Sequence, residues 1–402
     1  MGELSPTERQ AIERATAEPM LEQVEIWAEI NSGSRNLEGL GDIAYLLSDA
    51  FAVLPGELAF EEPSPVEAVD EAGRTIEIGH GKNLHITVRP EAPVQLLFTG
   101  HMDTVFGVDH QFQTTTWLED GVLGGPGVAD MKGGIAVMLA ALKAVEQSPD
   151  ASRLGYEVVI NSDEEVGSLG SAALLVQAAR GKRAALTYEP AALPDGTLAG
   201  ARPGSGNFAL VVRGKSAHAG RNPEDGRNAL LAAADLALRL AAAKRPGLSV
   251  NPSRIEAGSP SNVVPDLAIL RLNVRPATPE IEGEAKRAIA DIVAAVAAEH
   301  DVAIDVSGGF GRPPKPLTPV AEALFNLVKR AGADLGQTIA WQATGGVCDG
   351  NNIAACGVPV VDTMGVRGGK IHSMEEFLIV DSLAERAALS ALTILRLATG
   401  DA

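Results

Sequence analysis

The chain has 402 residues, more than one ordinary domain of about 150 residues, which points to two or more domains. At 46% hydrophobic and 21% charged it has the apolar content for a sizeable core. Its formal net charge of −19, from 52 acidic against 33 basic residues, argues against a nucleic-acid partner, which needs a basic stripe, and is read as a solubility feature.

The N-terminal stretch MGELSPTERQ has no apolar h-region, and no run approaches the ~18 apolar residues of a membrane span. A cytoplasmic protein without a signal peptide or membrane partner is expected. Ser5-Pro6 predicts a helix start, Ser as cap and Pro in the first turn, with a helical pattern running to about Ile30. Strands are predicted at 84–88 and 94–99. Residues 133–145 read as a helix whose small residues let it approach a sheet. Strands at 156–160 and 184–188 follow, separated by a helix at 171–179. This alternation predicts a mainly parallel sheet with helices on both faces.

A second unit is predicted to begin near Gly200, where AGARPGSGN is rich in Gly and Pro breakers. A strand (208–213), a helix (228–243), strands at 253–256 and 267–274, a helix (279–300) and a strand (302–306) give the order β-α-β-β-α-β of a ferredoxin-like α+β unit. GGFGRPPKP, residues 308–316, reads as a stiff return linker. A helix at 319–331 and the region of His372 then resume the first unit. The expected division is a domain at 1–200 and 315–402 interrupted by one at 201–314. Two cysteines, Cys348 and Cys356, supply neither a disulfide framework nor a multi-thiolate metal site.

Five residues fall at predicted strand ends or in the loops just beyond: His101 in LLFTGHMDTV, Asp130 in GGPGVADMKGG, Glu165 in SDEEVGS, Glu189 in ALTYEP, and His372 beyond PVVDTMG. Open α/β sheets bind ligands beyond the carboxyl ends of their strands. Two histidines with carboxylates form a mixed N/O set suited to a zinc-like ion. Glu164, beside Glu165, stands where a general base for an activated water is wanted. Taken singly, each has a bland reading: a structural histidine at a strand end, a solvated carboxylate in a loop.

HMDTV, GPGVADMKGG, SDEEVGS and the late His372, in this order, resemble the M20 family of dinuclear zinc peptidases and amidohydrolases, which includes glutamate carboxypeptidases and acetylornithine deacetylases. The resemblance spans nearly the whole chain and makes the interrupted domain catalytic and the inserted one a dimerisation lid. It implies two zinc ions, replaceable by cobalt or manganese, bridged by Asp130, with His101 and Glu189 completing one site and Glu165 and His372 the other. Asp103 would orient the His101 imidazole. Glu164 would take a proton from the water between the ions and deliver it to the leaving amine. His218, in GKSAHAG, would reach the partner subunit's site in a homodimer and stabilise the oxyanion, and Asn262, in SPSNVVP, would support it. A solvated loop histidine and a turn asparagine are the plain alternatives.

Arg275, in LNVRP, resembles an arginine that holds a substrate carboxylate, a task that a bidentate guanidinium suits. Arg312, in GFGRPP, is a second candidate. A surface arginine at a strand end is the alternative for both. Gly346, in TGGVCDGNN, would lie near the carboxylate pocket. Cys348 departs there from the usual Thr or Ser, and a small buried apolar role is open to it. The expected substrate is an N-acyl amino acid or short peptide, cut at an amide beside a free carboxylate. An aminopeptidase of the same fold, or a non-catalytic metal-binding protein, is the alternative.

Overall fold

The computed structural model describes residues 4–400, so the first three residues of the polar N-terminal stretch lie outside the described residues. The chain divides into two compact units. The first comprises residues 1–64, 79–201 and 317–402; the second comprises 65–78 and 202–316.

A six-stranded sheet organises the first unit, in the order Glu57–Glu61, Asn83–Val88, Leu154–Asn161, Val94–His101, Ala184–Thr187, Val360–Val361. The last four strands run parallel, and the first two pairings are antiparallel. Successive residues of a strand face opposite sides. Accordingly Leu96, Phe98, Val158 and Ile160 join one core cluster, with the helix Gly133–Glu146 and the C-terminal helix Asp381–Thr399. Leu97, Val159 and Ala185 join another, with the helices Ala172–Ala179 and Asp349–Ala355. The sheet is thus covered on both faces. Gly134 permits one close approach: a Cβ there would lie 1.9 Å from the Tyr188 carbonyl oxygen.

Several predicted boundaries shift. The N-terminal pattern is two helices, Pro6–Thr16 and Met20–Ala28, because Pro19 removes a backbone donor where one helix would continue. Ser5 does cap the first: its Oγ accepts from the Glu8 N–H at 3.2 Å, and the Ser5 N–H donates to Glu8 Oε2 at 2.7 Å. The strand expected at 94–99 runs to His101, so that histidine is the last strand residue rather than a loop residue. A small sheet of Thr116–Glu119, Val122–Gly124, Gly368–Gly369 and Phe377–Ile379 carries His372 on its 369–377 turn. No helix among the described residues is long and apolar enough to cross a membrane.

The second unit is a four-stranded antiparallel sheet in the order Leu248–Ala257, Leu267–Pro276, Ser205–Arg213, Ala303–Arg312. Its helices Ala229–Ala242 and Pro279–His300 share one core with Leu210, Val212, Leu270 and Leu272. Asn228 and Thr278 cap them, accepting from the N–H of Leu231 and Ile281. The return linker read at 308–316 begins only after Arg312, because GGFGR is the second half of the last strand. The hairpin Val66–Val69/Thr75–Ile78, which the expected division placed in the first domain, packs Val69 against Ala209, Val211 and Ile269 of the second unit.

Candidate metal centre

The first unit gathers His101, Asp130, Glu164, Glu165, Glu189 and His372. His101 ends a central parallel strand, Glu164 and Glu165 follow its neighbour Leu154–Asn161, and Glu189 follows Ala184–Thr187. Asp130 lies on an irregular turn between Gly127, at φ 73°, and the helix that starts at Gly133. His372 is held at φ 62°.

The two carboxylate oxygens of Asp130 face opposite ways. Oδ1 lies 3.1 Å from His101 Nε2, and Oδ2 lies 3.3 Å from His372 Nε2. His101 Nε2 is 3.8 Å from Glu189 Oε1, while His372 Nε2 is 3.1 Å from Glu165 Oε2. Two N/O clusters therefore share one aspartate. The ligand-type atoms of His101, Asp130 and Glu165, and those of His101, Glu164 and Glu189, each lie within 4.8 Å of one another. By distance alone Glu164 is as well placed as Glu189 beside His101.

The His101 ring donates from Nδ1 to the Asp103 carbonyl oxygen at 2.9 Å, which leaves the Nε2 lone pair for the shared centre. The Asp103 carboxylate expected in that role is the more distant partner, its Oδ1 at 3.4 Å. That carboxylate mainly organises the neighbouring loop. It accepts the N–H of Glu164 at 3.1 Å, the N–H of Glu165 at 3.2 Å and the Ser34 hydroxyl at 2.6 Å.

Electrostatics favour cation binding. Burial opposes a charged His101, but Asp103, Asp130 and Glu189 outweigh it and raise the ring well above the ordinary histidine value. Asp130 and Glu165 raise His372 to about 11. Burial, with the Asp130 charge next, raises Glu165. Glu165 Oε1 is buried without a hydrogen-bond partner. An orphaned carboxylate oxygen in a mixed N/O set fits a divalent ion, because an unmet buried acceptor is costly.

Three contributors were not legible in the motifs. Glu376 is 1% exposed and accepts three main-chain N–H groups of the Asp130 turn; burial, then the Asp130 charge, raises it to about 8. Lys132 is buried and donates from Nζ to the Ile30 carbonyl oxygen at 3.0 Å, and burial lowers it to about 7. Ser34 is the third. Glu376 stands four residues after His372 in HSMEE, a spacing that was available to find it.

In the second unit His218 and Asn262 come together. The Ala219 N–H donates to the Asn262 carbonyl oxygen at 2.9 Å, and both residues are exposed. Arg275 is half-buried and donates from Nε to Asn273 Oδ1 at 2.9 Å. Arg312 is 4% exposed, so it is not a surface arginine. Gly346 is exposed in the irregular segment before the helix Asp349–Ala355. Cys348 is buried, and its thiol lies 3.4 Å from Asp362 Oδ2, a polar contact that a purely apolar role would lack.

The model of Peptidase family M20/M25/M40 matches residues 97–396. Carboxypeptidase G2 of Pseudomonas sp. (strain RS-16) is 32% identical over 329 residues, 80% of this chain and 78% of that protein. Succinyl-diaminopimelate desuccinylase of Psychrobacter arcticus is 28% identical, covering 77% of this chain and 79% of that protein. Among solved structures, aminopeptidase PepT of Bacillus cereus superposes with a TM-score of 0.70 at 24% identity, covering 96% of this chain and 99% of its own. The YXEP protein of Bacillus subtilis, described as a dinuclear metal binding peptidase, superposes at 0.64 with 16% identity, covering 94% and 97%. The matched span holds every residue of the shared-aspartate cluster, and the chain belongs to peptidase family M20/M25/M40, a family of metal-dependent hydrolases.

Proposed function

We propose that the chain is a dizinc hydrolase that cuts an amide or peptide bond beside a free carboxylate, as a carboxypeptidase or N-acyl-amino-acid amidohydrolase. The observation that carries this reading is Asp130, whose two oxygens face His101 and His372 separately. His101, Glu189 and Asp130 would hold one ion, and His372, Glu165 and Asp130 the other; cobalt or manganese would substitute. When bound, such a pair supplies Lewis-acid polarisation of the scissile carbonyl and acidifies a water. Glu164, held through its own N–H by Asp103, takes the proton of the attacking water on its carboxylate and passes it to the leaving nitrogen. A carboxypeptidase and a desuccinylase among the relatives support amide hydrolysis.

The finer assignments belong to the same proposal. The first unit is catalytic, and the second is a lid through which two copies pair in the cytoplasm. His218 acts across the dimer with Asn262 behind it. Arg275, with Arg312 and Gly346, receives the substrate carboxylate. The test is turnover on a panel of N-acyl amino acids and dipeptides, each as free acid and as amide, with and without chelator. Metal-dependent cleavage that prefers the acids is expected. Full activity in protein shown by elemental analysis to be metal-free would overturn the reading, and equal cleavage of acids and amides would move it to an aminopeptidase.

A further inference from the structure

Asp130 can serve two centres only if its backbone is held still, yet its own segment has little regular structure to hold it. Asp130 (φ −116°, ψ 89°) and Met131 (φ −136°, ψ 36°) are non-helical, and Gly127 is left-handed. The Lys132 N–H still reaches the Gly127 carbonyl oxygen at 2.8 Å and the Val128 N–H that of Gly125 at 3.4 Å, but the buried N–H groups of Gly127, Ala129 and Asp130 must find acceptors elsewhere.

One side chain provides them. Glu376 Oε1 accepts from the N–H of Ala129 and of Asp130, each at 3.0 Å, and Oε2 accepts from the N–H of Gly127 at 3.3 Å. The Gly125 N–H donates to the Glu376 carbonyl oxygen at 3.3 Å. Glu376 is buried beside Asp130, a second carboxylate. Filling that space is a poor explanation, since an apolar side chain would do so without burying a carboxyl. The same hairpin carries His372 four residues earlier. It thus delivers a nitrogen to Asp130 Oδ2 with one residue and holds the Asp130 main chain with another.

We propose that Glu376 is a positioning residue of the metal centre. Its carboxyl oxygens fix the 127–130 main chain so that Asp130 presents one oxygen to His101 and the other to His372. This rests on the assignment of Asp130 as the shared ligand. Glu376 touches neither ion nor substrate in this scheme, and its effect passes through Asp130.

The experiment uses the full chain, stripped of metal and titrated with zinc alone by chelator competition, beside thermal unfolding of the metal-free protein. Wild type should bind about two ions per chain; if it binds none, the metal reading itself fails. Glu376→Ala should lower zinc affinity on the order of 10- to 100-fold, the usual effect of removing a partner that orients a ligand. Glu376→Gln should recover most of that loss, because its amide oxygen can take the two 3.0 Å bonds. Wild-type affinity in Glu376→Ala overturns the inference. So does an equal loss in Glu376→Gln, or a loss that only follows a fall in the metal-free unfolding temperature. If Glu376→Ala does not fold, Glu376→Asp carries the test: it draws the oxygens back by one methylene, should lose affinity in the same direction, and overturns the inference if it binds zinc like wild type.

Discussion

Asp103→Asn changes one atom and should still unsettle the centre. Asp103 is fully buried. Its Oδ2 accepts from Ser34 Oγ at 2.6 Å and the Glu165 N–H at 3.2 Å, while Oδ1 accepts from the Glu164 N–H at 3.1 Å and faces His101 Nδ1 at 3.4 Å. An asparagine must place its NH₂ at one of these positions. At Oδ1 it opposes the Glu164 N–H and the ring Nδ1–H. At Oδ2 it opposes only the Glu165 N–H, because the Ser34 hydroxyl can turn to accept and give its proton to the Thr104 carbonyl oxygen, 3.4 Å away. The second placement is cheaper and leaves the part-buried Glu165 N–H unmet, a cost of about 1–3 kcal/mol. Asp103→Leu leaves both N–H groups unmet, about 2–6 kcal/mol on the same scale. Urea unfolding of the metal-free variants measures this. Because the Glu164 and Glu165 main chain would shift, kcat of the metal-loaded Asn variant should also fall, on the order of 10²-fold for a displacement near 1 Å. Stability of both variants within about 0.5 kcal/mol of wild type, the range of an inconsequential surface change, would refute the reasoning.

Glu164→Gln should lower kcat on the order of 10²–10⁴-fold with metal content kept; near-normal turnover would place the base elsewhere. Metal uptake should release protons, about one for each of His101 and His372, because both rings are raised in the metal-free protein and an ion must displace the proton. Affinity should therefore rise with pH across the neutral range, and calorimetry in buffers of different ionisation enthalpy that found no release would contradict those shifts. Arg275→Ala should abolish the preference for free acid over amide, a pair worth roughly 1.5–3 kcal/mol or about 10- to 150-fold in kcat/KM, and Arg275→Lys should restore it only in part. Mixing His218→Ala with Glu164→Gln chains should yield active hybrids from inactive parents, and verified hybrids without activity would refute a site shared between subunits.

Local chemistry announced many elements. Thr278 with Pro279 marks the start of the helix that ends at His300, and Asn228 marks its counterpart, because capping groups act on N–H donors within three residues. The unbroken apolar run Leu96–Leu97–Phe98 announced a strand buried on both faces. GGFGR misled: Gly308, at φ 86°, is a breaker by type, yet the strand continues through it because Gly308 itself pairs with Phe208 and its neighbours Gly309 and Ser307 pair with Asn207 and Ala209 of Ser205–Arg213. The hairpin at 66–78 misled as well. Arg271 Nη2 donates to the Val69 carbonyl oxygen across 202 positions, and no local signal carries that information.

Residue types and their near neighbours already supply the groups that do chemistry, two histidines and four carboxylates, at strand ends or in the loops beyond, and the apolar runs that make the strands. These depend on residue type and near neighbours, which a short window contains. How they are used depends on packing between distant segments. That packing turned Asp130 between His101 and His372, gave the Asp103 carboxylate to the Glu164 and Glu165 main chain 61 and 62 residues away, and brought Glu376 to the Asp130 turn from 246 residues further on. A hydrogen bond requires its donor and acceptor at about 3 Å, and over such separations the packed core, not local preference, sets that distance.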